Sequence, residues 1–364
     1  MNKLNKLTRE MIAPLLTGGC ILGGGGGGSM AEGKKVAELA FSLGSPTLLP
    51  IEDLGDSDTV LTVSAVGAPA APNQYVEPID FARTVQTFTQ YTGQHPRAMM
   101  TNENGGSASA NGLLQSAVLG IPVLDAACNG RAHPTGVMGS IRLNELSDYR
   151  SVQVAIGGKP GTHSRVELAV AGTIDACSSM VRQAAVQAEG LVVVARNPVS
   201  GSYAKANAAV GAISHAIEVG QANLDGATPL DKVENVAKVL GGSVLIEGEV
   251  RNLVLNTING FDLGGLRIVS GSQDMELTFW NEYMTVELGE QRLSTFPDLI
   301  MTFSAETGSP VTSAEIREGD RVFVIAAPYQ NILLGSGMFV ESNYQIVEKV
   351  LDKSIIPFIK PLFQ

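Results

Sequence analysis

The chain is short of cations, thiols, aromatic rings and long apolar runs, and each shortage argues against a class of function. Lysine and arginine number 25 against 36 aspartates and glutamates, a formal charge of −11. Nucleic acids and anionic membrane surfaces are bound by clustered cations that replace counterions, so neither is an expected partner. Three cysteines in 364 residues are too few, and odd in number, for a disulfide framework; reduced thiols in a cytoplasmic protein are expected. No stretch reaches the ~18 apolar residues of a membrane span. The Lys-containing start MNKLNKLTREMIAPLLTGGC is interrupted by Arg9 and Glu10 before its Gly-Gly-Cys, so no targeting segment is read there. What remains is a globular composition, 44% hydrophobic and 17% charged, with a small molecule as the expected partner and a homo-oligomer as the expected assembly.

A chain of this length exceeds one ordinary core and is read as two domains. Residues 1–168 form an α/β layered domain with a mixed sheet, because strand and helix patterns alternate there. A helix is expected at 8–16, then six glycines at 23–28, then a helix from 30 to 43 with Ser29 as its N-cap. TVLTVSAV at 59–66 is a β-branched strand, followed by helix 79–91, strand 97–100 and helix 108–119. Strands at 152–156 and 166–171 belong at the sheet's edge. Residues 169–364 combine helices with a β-sandwich or barrel-like part. A helix follows Asp175, LVVVA at 191–195 is a buried strand, and one long helix from about 202 carries both Lys205 and His215. From Gly242 short alternating segments separated by turns mark the β-rich part.

The stretch from 99 to 135, MMTNENGGSASANGLLQSAVLGIPVLDAACNGRAHPT, gathers the reactive side chains. Glu103 follows one strand and Asp125 closes the next, IPVLD, which places both carboxylates at the carboxyl edge where open α/β sheets bind ligands. They are the candidate catalytic residues. A polar loop beyond Asp125 carries Cys128, Arg131 and His133. The glycine run offers backbone N–H groups, those of Gly26 and Gly27 at its centre, ahead of a helix N-terminus where they hold a carboxylate or phosphate. It has no Lys-Ser/Thr ending and no preceding strand, so it is not a nucleotide loop; the plain alternative is a tight passage between helices.

The glycine run, the turn at 67–69, Glu103 followed by Gly105 and Gly106, GIPVLDA with GRAHP, NPVSGSYAK, and FPDLIMTFSAETGSPVTSAEIREGDRV together resemble the S-methyl thiohydantoin desulfurase family over nearly the whole chain. The resemblance implies hydrolysis of an S-methylated thiohydantoin ring bearing a propionate, releasing methanethiol and leaving a hydantoin, in the degradation of S-methyl-ergothioneine. Many relatives have Asp two places after the residue matching Asp125 and Glu after the proline, where this chain has Ala127 and Thr135. Cys128 and His133 stand instead where those relatives have Gly and an aromatic residue.

A thiol and an imidazole in place of two carboxylates favour zinc, and catalytic zinc takes three protein ligands and one open position for water. Cys128 and His133 are two expected ligands; the third is His215, with His163 and Cys20 as alternatives. Glu103 then serves as the proton carrier. For the propionate the candidates are the backbone of Gly26 and Gly27, Asn104, Arg131 and Lys205, although Arg131 pairing with Asp125 is an equal alternative. Two other functions fit the sequence: ring-opening hydrolysis of a hydantoin or related cyclic amide, and a non-catalytic subunit that binds a small acid.

Overall fold

The computed structural model describes residues 5–67, 73–258 and 261–364, so residues 68 and 69 of the expected turn lie outside it. Its first sheet collects nine strands: β1 (Asn5–Lys6), β2 (Thr47–Leu49), β3 (Thr59–Gly67), β4 (Ala98–Glu103), β5 (Val123–Asn129), β6 (Ser151–Gly157), β7 (Val166–Gly172), β8 (Leu191–Ser200) and β9 (Ala209–Val210). The order is β1-β2-β5-β4-β3-β8-β6-β7, with β9 paired to β5. β2, β5, β4 and β3 are parallel, whereas β8 runs antiparallel to both β3 and β6. The sheet is therefore mixed, with β7 at one edge.

Eight α-helices among the described residues precede the second sheet in the chain: α1 (Ile12–Gly23), α2 (Met30–Leu43), α3 (Pro78–Thr92), α4 (Leu113–Leu119), α5 (Ile174–Gln187), α6 (Gly201–Asn207), α7 (Ala212–Leu224) and α8 (Pro229–Val239). Local chemistry sets several of their ends. Ser29 Oγ accepts from the Ala31 N–H at 3.2 Å and starts α2. A Glu77–Asp80 capping box and Pro78 at the first position start α3, and left-handed Gly93 stops it.

Several elements differ from the sequence expectation: the helix expected at 108–119 is a 3₁₀ turn at Ala108–Ala110 followed by α4 alone, and β4 runs on past 100 to Glu103. α1 begins after a 3₁₀ turn at Arg9–Met11 and runs on to Gly23. Gly18 and Gly19 do not stop it, because a Cβ at Gly18 would lie 1.7 Å from the Ala216 carbonyl oxygen of α7; the glycine is where the two helices touch. The long helix expected from 202 is broken into α6 and α7. Ala209 and Val210 leave it to pair with Ala127 and Ala126, and Gly211 turns the chain at φ +79°, so Lys205 and His215 sit on separate helices. β5 continues past Asp125 to Asn129, held by β9 on one side and by pairing of Thr101 with Ala127 and Glu103 with Asn129 on the other. Asp125 and Cys128 are thus strand residues. β8, from beyond residue 168, lies inside the first sheet, so the α/β layer takes in chain past that point.

The second sheet is antiparallel throughout. It comprises β10 (Ser243–Ile258), β11 (Phe261–Ser270), β12 (Gln273–Trp280), β13 (Glu282–Leu288), β14 (Gln291–Thr295), β15 (Leu299–Ser304), β16 (Pro310–Val311) and β17 (Arg321–Ala327). In the order β14-β13-β12-β11-β10-β17-β15-β16, β13 and β15 are not neighbours, yet Tyr283 Oη on β13 lies 3.0 Å from Thr302 Oγ1 on β15. One sheet curls on itself, the barrel-like form of the expected β part. Among the described residues no helix is long and apolar enough to cross a membrane.

Candidate active site

β4 ends on Glu103, directly beside Asn129 at the end of β5, so the loop leaving β5 passes over the Glu103 carboxyl. The His133 backbone N–H donates to Glu103 Oε2 at 3.3 Å, and the ring folds back to set Nε2 3.3 Å from the same oxygen. Nδ1 lies 2.9 Å from the Thr135 carbonyl oxygen. A carbonyl only accepts, so we assign the proton to Nδ1, and Nε2 presents its lone pair to the carboxyl. The two side chains are 14% and 6% exposed, dry enough to alter both acidities. Burial pushes Glu103 up to about 7, against the lowering effect of the His133 N–H and the Arg196 charge. Burial likewise draws His133 down to about 4. Near neutrality the imidazole is uncharged and the carboxyl exchanges its proton, which is what a general acid–base group requires.

The glycine loop closes over this region. A Cβ at Gly27, where φ is +79°, would lie 2.4 Å from Gly105 Cα, an approach only glycine permits, and one at Gly26 would press on the Glu282 carboxyl, 2.0 Å from Oε1. The Gly27 carbonyl accepts from the N–H groups of Ser107 and Ala108, while the Gly26 N–H is spent on Gly23. The Gly24 carbonyl accepts from Tyr283 N–H and that of Gly25 from Ser313 N–H, which ties the loop to the second sheet.

Arg131 is fully buried at the same seam. Its Nη1 donates to the carbonyls of Pro297 (2.8 Å) and Asp298 (2.5 Å), and its Nε to that of Ala132 (3.2 Å). The guanidinium also covers the Phe296 ring at 4.4 Å. It pairs with neither Asp125 nor open solvent, so its place is in holding the two sheets together. Nη2 and the buried Glu282 Oε2 have no hydrogen-bond partner, and burial, then the Glu103 charge, push Glu282 well above the ordinary carboxylate range.

Several expected site residues are engaged elsewhere. Asp125 Oδ1 accepts from the N–H groups of Ile213 (3.1 Å) and Ser214 (3.0 Å), and its Oδ2 from Ser214 Oγ (2.5 Å). It caps α7, whose own N-cap residue is Gly211 with no side chain, and is not placed for catalysis. Asn104 is fully buried, donating to the carbonyls of Gly130 and Ala212 and accepting from Ser109 Oγ; it is a brace, with no group left for substrate. Lys205 is paired with exposed Asp56 at 2.9 Å.

The expected zinc ligands do not converge. Cys128 packs with Met100, Leu124 and Ala126 in an apolar cluster, its Sγ sharing a hydrogen bond with Thr62 Oγ1 at 3.4 Å. His133 Nδ1 is committed to Thr135, and His215 Nδ1 faces Glu218 at 3.8 Å. Of the alternatives, Cys20 is buried inside α1 and His163 is an exposed side chain beside Glu189. Among the described residues no group of three or more His, Cys, Asp or Glu is arranged to hold a metal ion. The cause is strand geometry: extending β5 to Asn129 turns Cys128 into a core residue. The donor set does not fit a three-ligand zinc centre.

Sequence reasoning missed Glu282 and Arg196. Arg196 lies in β8, half-buried, and its charge acts on Glu103, Cys128 and His133. The signal was present in LVVVAR, a cation set directly behind an otherwise apolar strand run.

This is a two-sheet α/β protein with a buried acid–imidazole pair at the carboxyl edge of its first sheet. A family model described as the S-Me-THD-like N-terminal domain matches residues 10–165, and one described as the S-Me-THD-like C-terminal domain matches residues 173–337. The chain belongs to this family, that of the S-methyl thiohydantoin desulfurases. A solved structure of a protein from Chromobacterium violaceum is 20% identical over 95% of this chain and 97% of that one, with a TM-score of 0.73; it shows the same fold. No curated protein matches the chain.

Proposed function

We propose that the chain hydrolyses an S-methyl thiohydantoin bearing a propionate, releasing methanethiol and leaving the hydantoin, with Glu103 as the proton carrier. The observation that carries this is the Glu103–His133 pair, with its carboxyl at about 7 and its imidazole held neutral with a bare Nε2. The family supports the substrate class. Ionised Glu103 takes a proton from water as the water oxygen bonds to the ring carbon that bears the SCH3 group. The C=N electron pair moves to nitrogen, giving a tetrahedral carbon. As the C=O bond forms, the remaining hydroxyl proton passes to that ring nitrogen, the C–S bond breaks and the proton on Glu103 passes to the departing thiolate. Atoms balance: one water is consumed, one methanethiol leaves, and the ring stays closed. His133, through its backbone N–H, keeps the carboxyl aimed.

The test is to incubate the protein with the S-methyl thiohydantoin propionate in oxygen-18 water and to measure methanethiol and product mass. One thiol and one labelled oxygen per turnover, lost in Glu103→Gln, are expected. A ring-opened product without thiol would instead establish the cyclic-amide hydrolase, and no turnover with retained binding would establish the non-catalytic subunit.

A further inference from the structure

With Arg131 sealed at the seam, Asn104 braced and Lys205 paired on the surface, none of the side chains expected to meet a substrate carboxylate is placed to do so. Two arginines nearby are. Arg196 on β8 stands in register with Thr62 of β3 and Gln153 of β6, so the three side chains share one face of the sheet. On that face Thr62 bonds Cys128, and Gln153 Nε2 donates to Ser178 Oγ of α5 at 3.4 Å. α5 therefore lies over this face, and Arg182, four residues on from Ser178, projects from the same side of the helix. Its guanidinium rests 4.7 Å from the Phe261 ring centroid, and Phe261 packs edge-on against Trp280 at 5.2 Å.

Neither guanidinium makes a hydrogen bond or ion pair with any described residue, whereas Arg83, Arg165, Arg267 and Arg292 each meet a carboxylate within 3.1 Å. Both are half-buried, and burial draws both below the ordinary arginine range, the Arg182 charge adding to the effect on Arg196. Two like charges drawn partly out of water, neither paired with a carboxylate and only Arg196 feeling the field of Glu103, call for an anion. We propose, resting on the reaction above, that Arg196 and Arg182 form the carboxylate subsite of this active site, taking the substrate's propionate while the ring extends toward Glu103. A planar guanidinium fork matches a carboxylate with two parallel N–H donors, and the aromatic support of Arg182 fixes its plane.

The subsite is tested by binding, independently of turnover. Hydantoin-5-propionate and its propionamide are titrated into the full-length protein by calorimetry, with the fluorescence of Trp280, the single tryptophan, as a second readout. The wild type is expected to bind the acid roughly 10- to 100-fold more tightly than the amide. Arg196→Gln and Arg182→Gln are expected to erase that preference with amide affinity unchanged, and Arg196→Lys to keep part of it. Equal wild-type affinity for the two ligands overturns the subsite. So does a variant that weakens both ligands alike, which is the mark of a structural role. An acid preference without thiol release retains the subsite and removes the reaction; thiol release with equal KM for acid and amide substrates does the reverse.

Discussion

Two clusters of charge in this molecule are built on opposite plans. On the second sheet, Lys353 Nζ meets Glu276 at 2.7 Å and Glu287 at 2.8 Å, Arg292 meets Glu287 at 2.9 Å, and the Phe358 ring covers Arg292 at 4.4 Å. The Lys353 ammonium pulls Glu276 below the usual carboxylate range. Every one of these charges has a partner, and the cluster tightens the sheet. At the carboxyl edge of the first sheet the opposite holds: Glu103 and Glu282 are pushed up by burial, His133 is pushed down, and Arg196 acts on Glu103 without forming an ion pair with it. A cluster that satisfies itself stabilises a fold, whereas one held with displaced acidities is ready to exchange protons or accept a ligand. A cavity of about 620 Å3 lined by Glu247, Glu306, Glu315 and Asp320 shares no residue with either cluster.

The contrast is broken most severely at Glu103. Glu103→Gln should lower kcat/KM for methanethiol release by about 10²- to 10⁴-fold, the usual worth of a general acid–base group. Since the ionised form starts the reaction, wild-type kcat/KM should rise with pH through about 7. The same residue should behave inversely for stability. Its folded pKa is raised, so the proton favours the folded state; that contribution is complete below about 4.5 and lost as pH rises through about 7. Calorimetry should therefore find Glu103→Gln more stable than wild type at pH 8, by on the order of 3 kcal/mol, with the gap closing at pH 5. Loss of activity with gain of stability marks a functional group and not a structural one.

Smaller effects are expected where the charge or thiol is satisfied. Asp125→Ala removes the cap of α7 and should cost about 1–2 kcal/mol in denaturant unfolding with the catalytic pH profile unchanged. Cys128→Ala should cost about 1 kcal/mol as a small core truncation and leave turnover within a few-fold; a loss of bound zinc and of all activity in this variant would restore the zinc centre. Lys353→Ala, in the paired cluster and partly exposed, should cost under about 1 kcal/mol with kcat/KM unaltered.

Much of the first layer was legible in the sequence because its signals are local. The β-branched run at β3 and the Ser29 cap of α2 each act within a few residues, and the structure places them as the sequence implies. Glu103 was found because it follows a readable strand run, although β4 continues three residues beyond the expected end to include it. What escaped depends on contacts far apart in the chain. The antiparallel insertion of β8 between β3 and β6 brings Arg196 to the site, and Glu282 arrives from the second sheet. Neither the length of β5 nor the break between α6 and α7 was visible, because both depend on the pairing of β9 with β5, two short segments some eighty residues apart. Cys128 and His133 were matched by their closeness in sequence, whereas strand alternation gave the thiol to the core and left the imidazole at the edge.

The seam beneath the glycine loop bears on how this chain is inherited. Main-chain oxygens at Gly24 and Gly25 are met by β13 and by Ser313, and the cation of Arg131 is received by Pro297 and Asp298. A gene split between the two halves would strip these atoms of their mates in both products at once. The halves are joined beside the candidate site, so neither is expected to travel through evolution, or survive expression, as a separate module.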